Sequence, residues 1–198
     1  MRADEDRVSR YLEQHHLTTV RFSKQEMRES KTPDFRVLLD DSVIFFCEVK
    51  SSLRDRWLDK RLEAVQPGDL AGGARNDPIF NRLTSDIHDS VKQFDAVNSG
   101  LEYPNVLALV NHDDMCGFND LIAVVTGNAY TEDGEVLPIY KQYSEGRTKH
   151  EIGKIDLFIW LDDFKPERLF FGRTNQERKS ALCEIFGLDE DSILPLDD

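Results

Sequence analysis

Cysteine is scarce in this sequence, and its copies are too far apart to define a small disulfide-bonded or zinc-bound domain. Cys47, Cys116 and Cys183 form no Cys-x-x-Cys pair, which is the spacing typical of zinc sites and redox motifs. A chain of 198 residues buries roughly 70% of the surface that it exposes when unfolded, so it needs no such cross-link. We therefore expect a single domain over residues 1–198.

Long apolar runs are also absent from the sequence. No uninterrupted apolar stretch approaches the roughly 20 residues that a membrane-spanning helix needs. The N-terminal residues, MRADEDRVSRYLEQ, are charged where a signal peptide would be apolar. Together with the dispersed cysteines, this predicts a protein of the reducing cytoplasm that does not contact a membrane.

Positive charge is outweighed by negative charge. The sequence has 25 Lys and Arg against 38 Asp and Glu, which gives a formal net charge of −13. Proteins that hold nucleic acid through many phosphates usually present a basic face, so the overall charge argues against such binding by most of the surface. The segment 51–61 is locally basic, with Arg54, Arg56, Lys60 and Arg61. A basic rim on an acidic body is compatible with a nucleic-acid partner.

The hydrophobic pattern predicts an α/β order of elements. Apolar residues at helical spacing predict helices over 4–16, 53–65, 79–98, 116–125 and 175–186. Alternating or continuous short apolar runs predict strands over 18–22, 35–39, 42–50, 105–111, 155–161 and 168–171. Asp40 and Asp41 predict a hairpin turn, and the Gly-rich stretch 67–78 a long loop. This order favours a mixed β-sheet flanked by helices on both faces.

Two acids and one lysine stand at an informative spacing within the predicted hairpin. Asp34 precedes the first strand, and thirteen residues separate it from Glu48-x-Lys50 at the end of the second. Because side chains alternate along a strand, Glu48 and Lys50 lie on one face. Asp34 begins the partner strand, so we expect it near Glu48 across the ladder.

This arrangement suits metal-assisted attack on a phosphate. Two carboxylates a few ångströms apart repel each other, and a divalent cation such as Mg²⁺, which prefers oxygen ligands, removes that cost. A metal held there polarises a phosphoryl oxygen and lowers the pKa of a bound water. Lys50 beside it can position the water or stabilise charge on the phosphate.

The Glu-x-Lys pattern is not specific by itself, since it occurs three times. The copies begin at Glu29, Glu48 and Glu177. Only the middle copy ends an apolar strand-like run, VIFFCEVK, and follows a Pro-Asp pair that opens another strand. The alternative interpretation of all three is a solvated charged pair on an amphipathic element.

The segment TPDFRVLLDDSVIFFCEVKS, residues 32–51, resembles the core of the PD-(D/E)XK nuclease superfamily, which has the restriction-endonuclease-like fold. The motif itself covers about twenty residues, and the order of elements extends the resemblance over a core of about residues 1–112. The resemblance implies that Asp34 and Glu48 bind Mg²⁺, with Mn²⁺ as an alternative ion. It also implies that Lys50 assists the attacking water.

The resemblance implies two further site residues. Members of the superfamily often add an acidic residue from the helix before the hairpin, and Glu13 stands where that residue would be. Many also place a Gln or Lys on a helix after the lysine strand, which favours Gln93 over Lys92. The Gly-rich stretch 67–78 departs from the family pattern because it separates that helix from the lysine strand.

The basic segment offers candidates for substrate binding. Trp57 lies among Arg54, Arg56 and Arg61, and helical spacing places Trp57 and Arg61 on one face. An exposed tryptophan among cations can stack on a base. The alternative is that Trp57 packs into the core.

These residues support competing hypotheses about function. The first is a metal-dependent nuclease that hydrolyses phosphodiester bonds, of DNA in preference to RNA. Cutting both strands of a duplex would take a homodimer, and the net charge of −13 favours a nuclease that acts with a basic partner subunit. The second is a catalytically lapsed nuclease-fold module that binds nucleic acid or protein within a larger complex, since one fold hosts many functions. The third is an α/β domain in which the motif arose by chance.

Overall fold

The chain forms a mixed six-stranded sheet with helices packed against it. The structure, a computed structural model, describes residues 3–52, 57–66, 68–69, 79–131, 133, 135–139, 145–163 and 165–190. The helices are α1 (Ala3–Glu13), α2 (Glu26–Glu29), α3 (Trp57–Glu63), α4 (Ile79–Asn98), α5 (Phe118–Thr126), α6 (Glu145–Thr148) and α7 (Gln176–Phe186). The strands are β1 (Thr18–Arg21), β2 (Phe35–Leu39), β3 (Ser42–Ser51), β4 (Asn105–Asn111), β5 (Asn128–Tyr130), β6 (Val136–Pro138), β7 (Leu157–Asp162) and β8 (Arg168–Phe171).

The strand order of the main sheet is β1-β2-β3-β4-β7-β8. The outer pairs are antiparallel, whereas β3, β4 and β7 run parallel at the centre. Parallel neighbours need a crossover, and the long helix α4 lies in the connection from β3 to β4. The carboxyl ends of β3, β4 and β7 consequently meet at one edge of the sheet.

The β2–β3 hairpin forms where the aspartate pair predicts it. Asp40 and Asp41 both have positive φ, 48° and 63°, which is the conformation that a two-residue hairpin turn requires and that aspartate tolerates better than most residues. The pairing of Phe35 with Cys47 fixes the register at the far end of the hairpin. That register decides which side chains surround Asp34.

Each face of the sheet carries its own hydrophobic cluster. Strand residues such as Cys47 and Val49 point to the first cluster, where α1 and α7 contribute Val8, Leu12, Leu182 and Phe186. Phe46 and Leu107 point to the second, where α4 and α5 contribute Leu83, Ile87, Val91, Phe94, Leu121 and Val124. The expected α/β class, with a mixed sheet between helices, is thereby confirmed.

Several boundaries differ from those expected, and four short elements were not expected. Helix α1 ends at Glu13 rather than at residue 16, because a turn follows in which His16 has a φ of 62°. The elements α2, β5, β6 and α6 each have only three or four residues, too few for a periodic pattern. Most of the Gly-rich stretch 67–78, for which a loop was expected, lies outside the described residues.

The cysteines and the helices bear on the class of protein. Cys47, Cys116 and Cys183 are buried, and each is a free thiol. Among the residues that the structure describes, no helix combines the length and apolar character needed to cross a membrane.

Candidate active site

The β2–β3 hairpin brings Asp34, Glu48 and Lys50 together. Along β3, Cys47 and Val49 belong to the cluster under α1 and α7, so alternation turns Glu48 and Lys50 toward α4. Asp34 immediately precedes the Phe35–Cys47 pair of the ladder and therefore comes level with Glu48. The structure places the three residues side by side, as the spacing predicts.

Two hydrogen bonds hold the acids in this register. The backbone N–H of Asp34 donates to Glu48 Oε2 over 3.1 Å. The backbone N–H of Val49 donates to Asp34 Oδ2 over 2.9 Å. Each acid is thus anchored by the strand that carries the other, and the hairpin preorganises the pair.

Lys50 is held by both an acid and an amide. Its Nζ donates to Glu48 Oε1 over 2.6 Å and to Gln93 Oε1 over 3.0 Å. Gln93 Nε2 in turn donates to the carbonyl oxygen of Thr32 over 3.1 Å. The structure therefore brings Gln93 of α4 into the site, where it connects Lys50 to the segment that leads into Asp34. Lys92 instead pairs with Asp89 on the exposed side of the helix.

Burial makes the charged state of both acids costly. Glu48 is 2% exposed, and burial, followed by repulsion from Asp34, raises its pKa to about 7 despite the opposing effect of Lys50. Burial also raises the pKa of Asp34 above its ordinary value, although the hydrogen bond from Val49 opposes this. Without a cation beyond Lys50, the pair tends to retain a proton near neutral pH.

The donor set fits a hard divalent cation with an incomplete protein shell. Nowhere in the described ranges do three or more His, Cys, Asp or Glu side chains form a group able to hold a metal ion. Asp34 and Glu48 supply two carboxylates. Mg²⁺ is commonly held by one or two carboxylates and completes its shell with water and substrate phosphate, so the pair is chemically sufficient.

The acidic residue of α1 that approaches the site is Glu5 rather than the expected Glu13. Glu5 is 6% exposed, pairs with Arg21 and adds to the rise in the pKa of Asp34. Glu13 is exposed at the opposite end of the helix, about 12 Å along its axis at 1.5 Å per residue. The physical reason is direction: His112, at the carboxyl end of β4, binds Asp4 in the first turn of α1, so this turn faces the edge near the site.

A further acid, Asp86, was not anticipated from the sequence. It lines a cleft on the α4 side of the sheet together with Lys50, Ser52, Arg82 and Asn111. Burial raises the pKa of Asp86 to about 6, against the opposing charges of Lys50 and Arg82. Asp86 and Gln93 are seven residues apart and so share one face of α4, a spacing that could have identified it.

The expected substrate-binding residues are only partly covered by the structure. Arg54 and Arg56 lie outside the described residues. Trp57 begins α3, but the position of its side chain also lies outside the described part. Arg61 is exposed in the last turn of α3. A role of this segment in binding stays a prediction.

The site consists of the buried carboxylate of Glu48, the half-buried carboxylate of Asp34 and the Lys50 ammonium, which Gln93 holds in place. A cleft beside it contains one more acid, Asp86. In comparisons with known proteins, no family model, no curated protein and no solved structure matches this chain.

Proposed function

We propose that the protein is a metal-dependent nuclease of the PD-(D/E)XK type, with the restriction-endonuclease-like fold, which hydrolyses phosphodiester bonds of DNA. One observation carries the proposal: Asp34, Glu48 and Lys50 converge on one face of the hairpin, with Lys50 Nζ 2.6 Å from Glu48 Oε1. Glu48 is buried and Asp34 is half-buried, and the pKa values of both are raised. A divalent cation would remove the repulsion that raises them.

The residues that would hold Mg²⁺, or Mn²⁺ in its place, are Asp34 and Glu48. When bound, such an ion supplies Lewis acidity toward a phosphoryl oxygen and lowers the pKa of a coordinated water. The protein contributes the geometry, since the hydrogen bonds from Val49 and from the Asp34 backbone N–H fix the two carboxylates. Glu5, near Asp34, adds negative charge that favours a cation at this position.

Lys50 is the residue that would face the reacting phosphate. Its ammonium can stabilise negative charge that develops on the phosphate or orient the attacking water. Gln93 Oε1 accepts a second hydrogen bond from Lys50, so the ammonium would keep one fixed partner when it turns from Glu48 toward the substrate. Gln93 is accordingly a positioning residue in this proposal.

The proposal also concerns how the protein would bind and cut duplex DNA. One site cuts one strand, so cleavage of a duplex would take a homodimer or a second cut. The net charge of −13 would require that binding rely on local basic surfaces, or on a basic partner subunit that neutralises the phosphates. Light scattering of the protein on duplex DNA tests the dimer, which a monomeric complex would contradict.

The net charge also favours a second candidate function, a nuclease-fold module that binds without cutting. In that case the Lys50–Glu48 ion pair would serve stability, and the cation would bind tightly without any cleavage. The two candidates differ in one observable property, which is turnover of nucleic acid in the presence of a divalent ion.

The deciding experiment is a cleavage assay with labelled single- and double-stranded DNA and RNA in Mg²⁺, Mn²⁺ or EDTA. The wild type is compared with Asp34→Ala, with Lys50→Ala and with Lys92→Ala, a control on the exposed side of α4. We expect metal-dependent cutting of DNA by the wild type and the control only. A folded, metal-loaded wild type that cuts none of the substrates would refute the nuclease and leave the binding module.

A further inference from the structure

His112 lies where three segments of the chain meet, at the carboxyl edge of the sheet. Its two ring nitrogens contact two carboxylates: Nε2 is 2.8 Å from Asp4 Oδ1, and Nδ1 is 3.0 Å from Asp163 Oδ2. Asp4 belongs to the first turn of α1, whereas His112 and Asp163 directly follow β4 and β7. The histidine therefore connects a helix to the ends of two neighbouring strands.

The sheet itself brings His112 and Asp163 together. Asn111 and Asp162, the residues that precede them, are a paired position of the β4–β7 ladder. Asp4 is different, because its helix packs onto the sheet from outside. Of the two carboxylates at the ring, the one on α1 is therefore the one that can move away.

Both contacts can be hydrogen bonds only when the imidazole ring is protonated. An ionised carboxylate only accepts hydrogen bonds, and imidazolium has two N–H donors whereas neutral imidazole has one. In the neutral form, one ring nitrogen would turn its lone pair toward a carboxylate oxygen. Burial lowers the pKa of His112, but the hydrogen bonds with Asp163 and Asp4 and their negative charges outweigh burial, so the pKa lies above its ordinary value.

Arg7 gives α1 a second contact at this edge that does not depend on pH. Its guanidinium donates to Asp163 Oδ1 over 2.6 Å and to the carbonyl oxygen of Asp162, and arginine stays charged throughout. Asp163 therefore keeps a cationic partner when His112 is neutral. Asp4 has no other hydrogen-bond or ion-pair partner for its side chain among the residues that the structure describes.

Three other polar side chains adjoin His112, and their contacts persist when the ring is neutral. Ser52 Oγ accepts from the backbone N–H of His112 over 2.7 Å. Asp113 pairs with Arg82 of α4 over 3.2 Å, and Asp162 accepts from the side-chain amide of the residue before His112 over 3.3 Å. Loss of the ring proton consequently removes the contact with α1 and leaves the contacts within the sheet.

The first turn of α1 also carries an acid that acts on the candidate active site. Glu5 follows Asp4, pairs with Arg21 and adds to the rise in the pKa of Asp34. The position of this turn, and with it the negative potential at Asp34, is set on one side by Arg21 and on the other by the contact between Asp4 and His112.

We propose that His112 is a positioning residue: as an imidazolium it ties Asp4, and so the first turn of α1, to the carboxyl edge of the sheet, and it releases them when it loses its proton. This contact of Asp4, His112 and Asp163 is called the clamp below. The clamp does not rest on the proposed function. Its consequence for the metal site does, because a released turn would lower the negative potential of Glu5 at Asp34 and weaken Mg²⁺ binding.

The direction of the pH dependence follows from the contacts. Because the folded pKa of His112 lies above the ordinary value of 6.5, the clamp is complete below about pH 6.5 and is lost as the pH rises through the folded pKa. The His112, Asp4 and Asp163 side chains are 22%, 24% and 28% exposed, so solvent screens the clamp in part and its effects are moderate.

NMR titration of the histidine rings in the full chain tests the clamp without a cleavage assay. His112→Gln assigns the signal, and we expect the wild-type His112 to titrate above pH 6.5. Asp4→Asn should weaken proton binding by His112 about three- to tenfold. The control, Glu13→Gln at the other end of α1, should leave it unchanged. A His112 that titrates at or below pH 6.5, or equally in the two variants, would overturn the clamp.

Hydrogen exchange measures the release itself. Protection of the α1 amides, corrected for the intrinsic effect of pH and normalised to α4, should fall about three- to tenfold in the wild type as His112 loses its proton. His112→Arg keeps a cation that can bridge two carboxylates at every pH and should retain this protection, whereas His112→Gln should lack it. Circular dichroism establishes that each variant is folded. Protection that does not change with pH in the wild type would overturn the clamp.

Calorimetric titration with Mg²⁺ tests the consequence for the metal site. At about pH 6.5, His112→Gln should bind Mg²⁺ about two- to threefold more weakly than the wild type, and at about pH 9 the two should agree. Loss of a cation would by itself strengthen Mg²⁺ binding, so equal or tighter binding in the variant would overturn the coupling. A wild type that binds no Mg²⁺ would refute both the nuclease and the coupling, whereas the histidine titration would still decide the clamp.

Discussion

The same three-residue pattern, Glu-x-Lys, occurs on strand β3 and on helix α7 with different geometry. Lys50 and Glu48 lie on one face of the strand, and their side chains form an ion pair of 2.6 Å. Residues two apart on a helix do not face each other. Lys179 accordingly lies near the ring of Phe171, 6.0 Å from its centroid, while Glu177 is exposed. The secondary structure, rather than the tripeptide, creates the juxtaposition of charges.

Burial separates the two copies further. Glu48 is 2% exposed and lies beside Asp34. Ionising its carboxyl therefore costs free energy, and its pKa is raised. Glu177, in the first turn of α7, is solvated and favoured by the helix dipole. The acid at the strand end is therefore buried with a raised pKa, whereas the acid at the helix N-terminus is solvated and stabilises the helix. The predictions that follow test this difference.

The largest expected effect is on catalysis. Glu48→Gln keeps the shape of the side chain but removes the charge that would bind the cation, so we expect kcat/KM for DNA cleavage to fall by at least about 100-fold, or about 2.7 kcal/mol. Glu177→Gln makes the same chemical change on α7 and should leave kcat/KM within about twofold of wild type, or about 0.4 kcal/mol. Equal losses in the two variants would mean that the β3 copy has no special role.

The second prediction concerns stability against pH. The pKa of Glu48 rises from an ordinary 4.5 to about 7 in the folded protein, so the folded state binds the proton more tightly than the unfolded state. In EDTA the free energy of unfolding should therefore fall as the pH rises from about 4.5 to about 7, by on the order of 3 kcal/mol from this group. Urea denaturation at several pH values measures it.

Two comparisons test whether Glu48 causes this fall. Glu48→Gln should flatten the pH dependence, whereas Glu177→Gln should retain the wild-type curve. Saturating Mg²⁺ should also reduce the fall, since a cation bound only by the folded state stabilises it most where the acids are ionised. A stability in EDTA that rises over this pH range would show that Glu48 ionises readily in the fold, contrary to its burial.

The third prediction separates the two neighbouring candidates on α4. Gln93→Ala removes the amide that holds Lys50 and that also binds the Thr32 carbonyl. We expect kcat to fall about tenfold, or about 1.4 kcal/mol, with a smaller change in KM. Gln93→Glu offers a stronger acceptor to Lys50 at the same position and should restore part of kcat, which a merely structural role would not require.

Lys92→Ala is the matched control for this prediction. The Lys92 side chain is 63% exposed and pairs with Asp89, so its loss should leave the cleavage rate unchanged. If Lys92→Ala slows cleavage and Gln93→Ala does not, the exposed face of α4 contacts the substrate and the assignment of Gln93 is wrong.

Much of the fold could be predicted because its central elements have strong local patterns. The bounds of α4 and β4 match those expected, since α4 carries an apolar stripe over twenty residues and β4 is a continuous apolar run. The position of Glu48 beside Lys50 was predictable for the same reason, since strand alternation places both on one face. The position of Asp34 was not, because a regular two-residue hairpin would set it level with Cys47. A register shift between Val37 and Leu38 brings it level with Glu48 instead.

The remaining parts of the site depend on packing between distant elements. Asp86 enters the cleft only because α4 crosses the face of β3 and β4 at that height. The β5–β6 ribbon was missed because its strands have three residues each. The hydrophobic periodicity of a single element therefore could not predict these features.

The smallest expected effect distinguishes the two acids of α1. Glu5 lies near Asp34 and is 6% exposed, whereas Glu13 is exposed at the far end of the helix. Glu5→Gln should raise the Mg²⁺ concentration that gives half-maximal cleavage about three- to tenfold, because one negative charge near the cation is lost. Glu13→Gln should leave that concentration unchanged. A shift with Glu13→Gln alone would mean that α1 reaches the site from its other end, which the contact between Asp4 and His112 opposes. Because both substitutions lie on one helix and remove one charge each, the difference between them measures proximity to Asp34 and not a change in net charge.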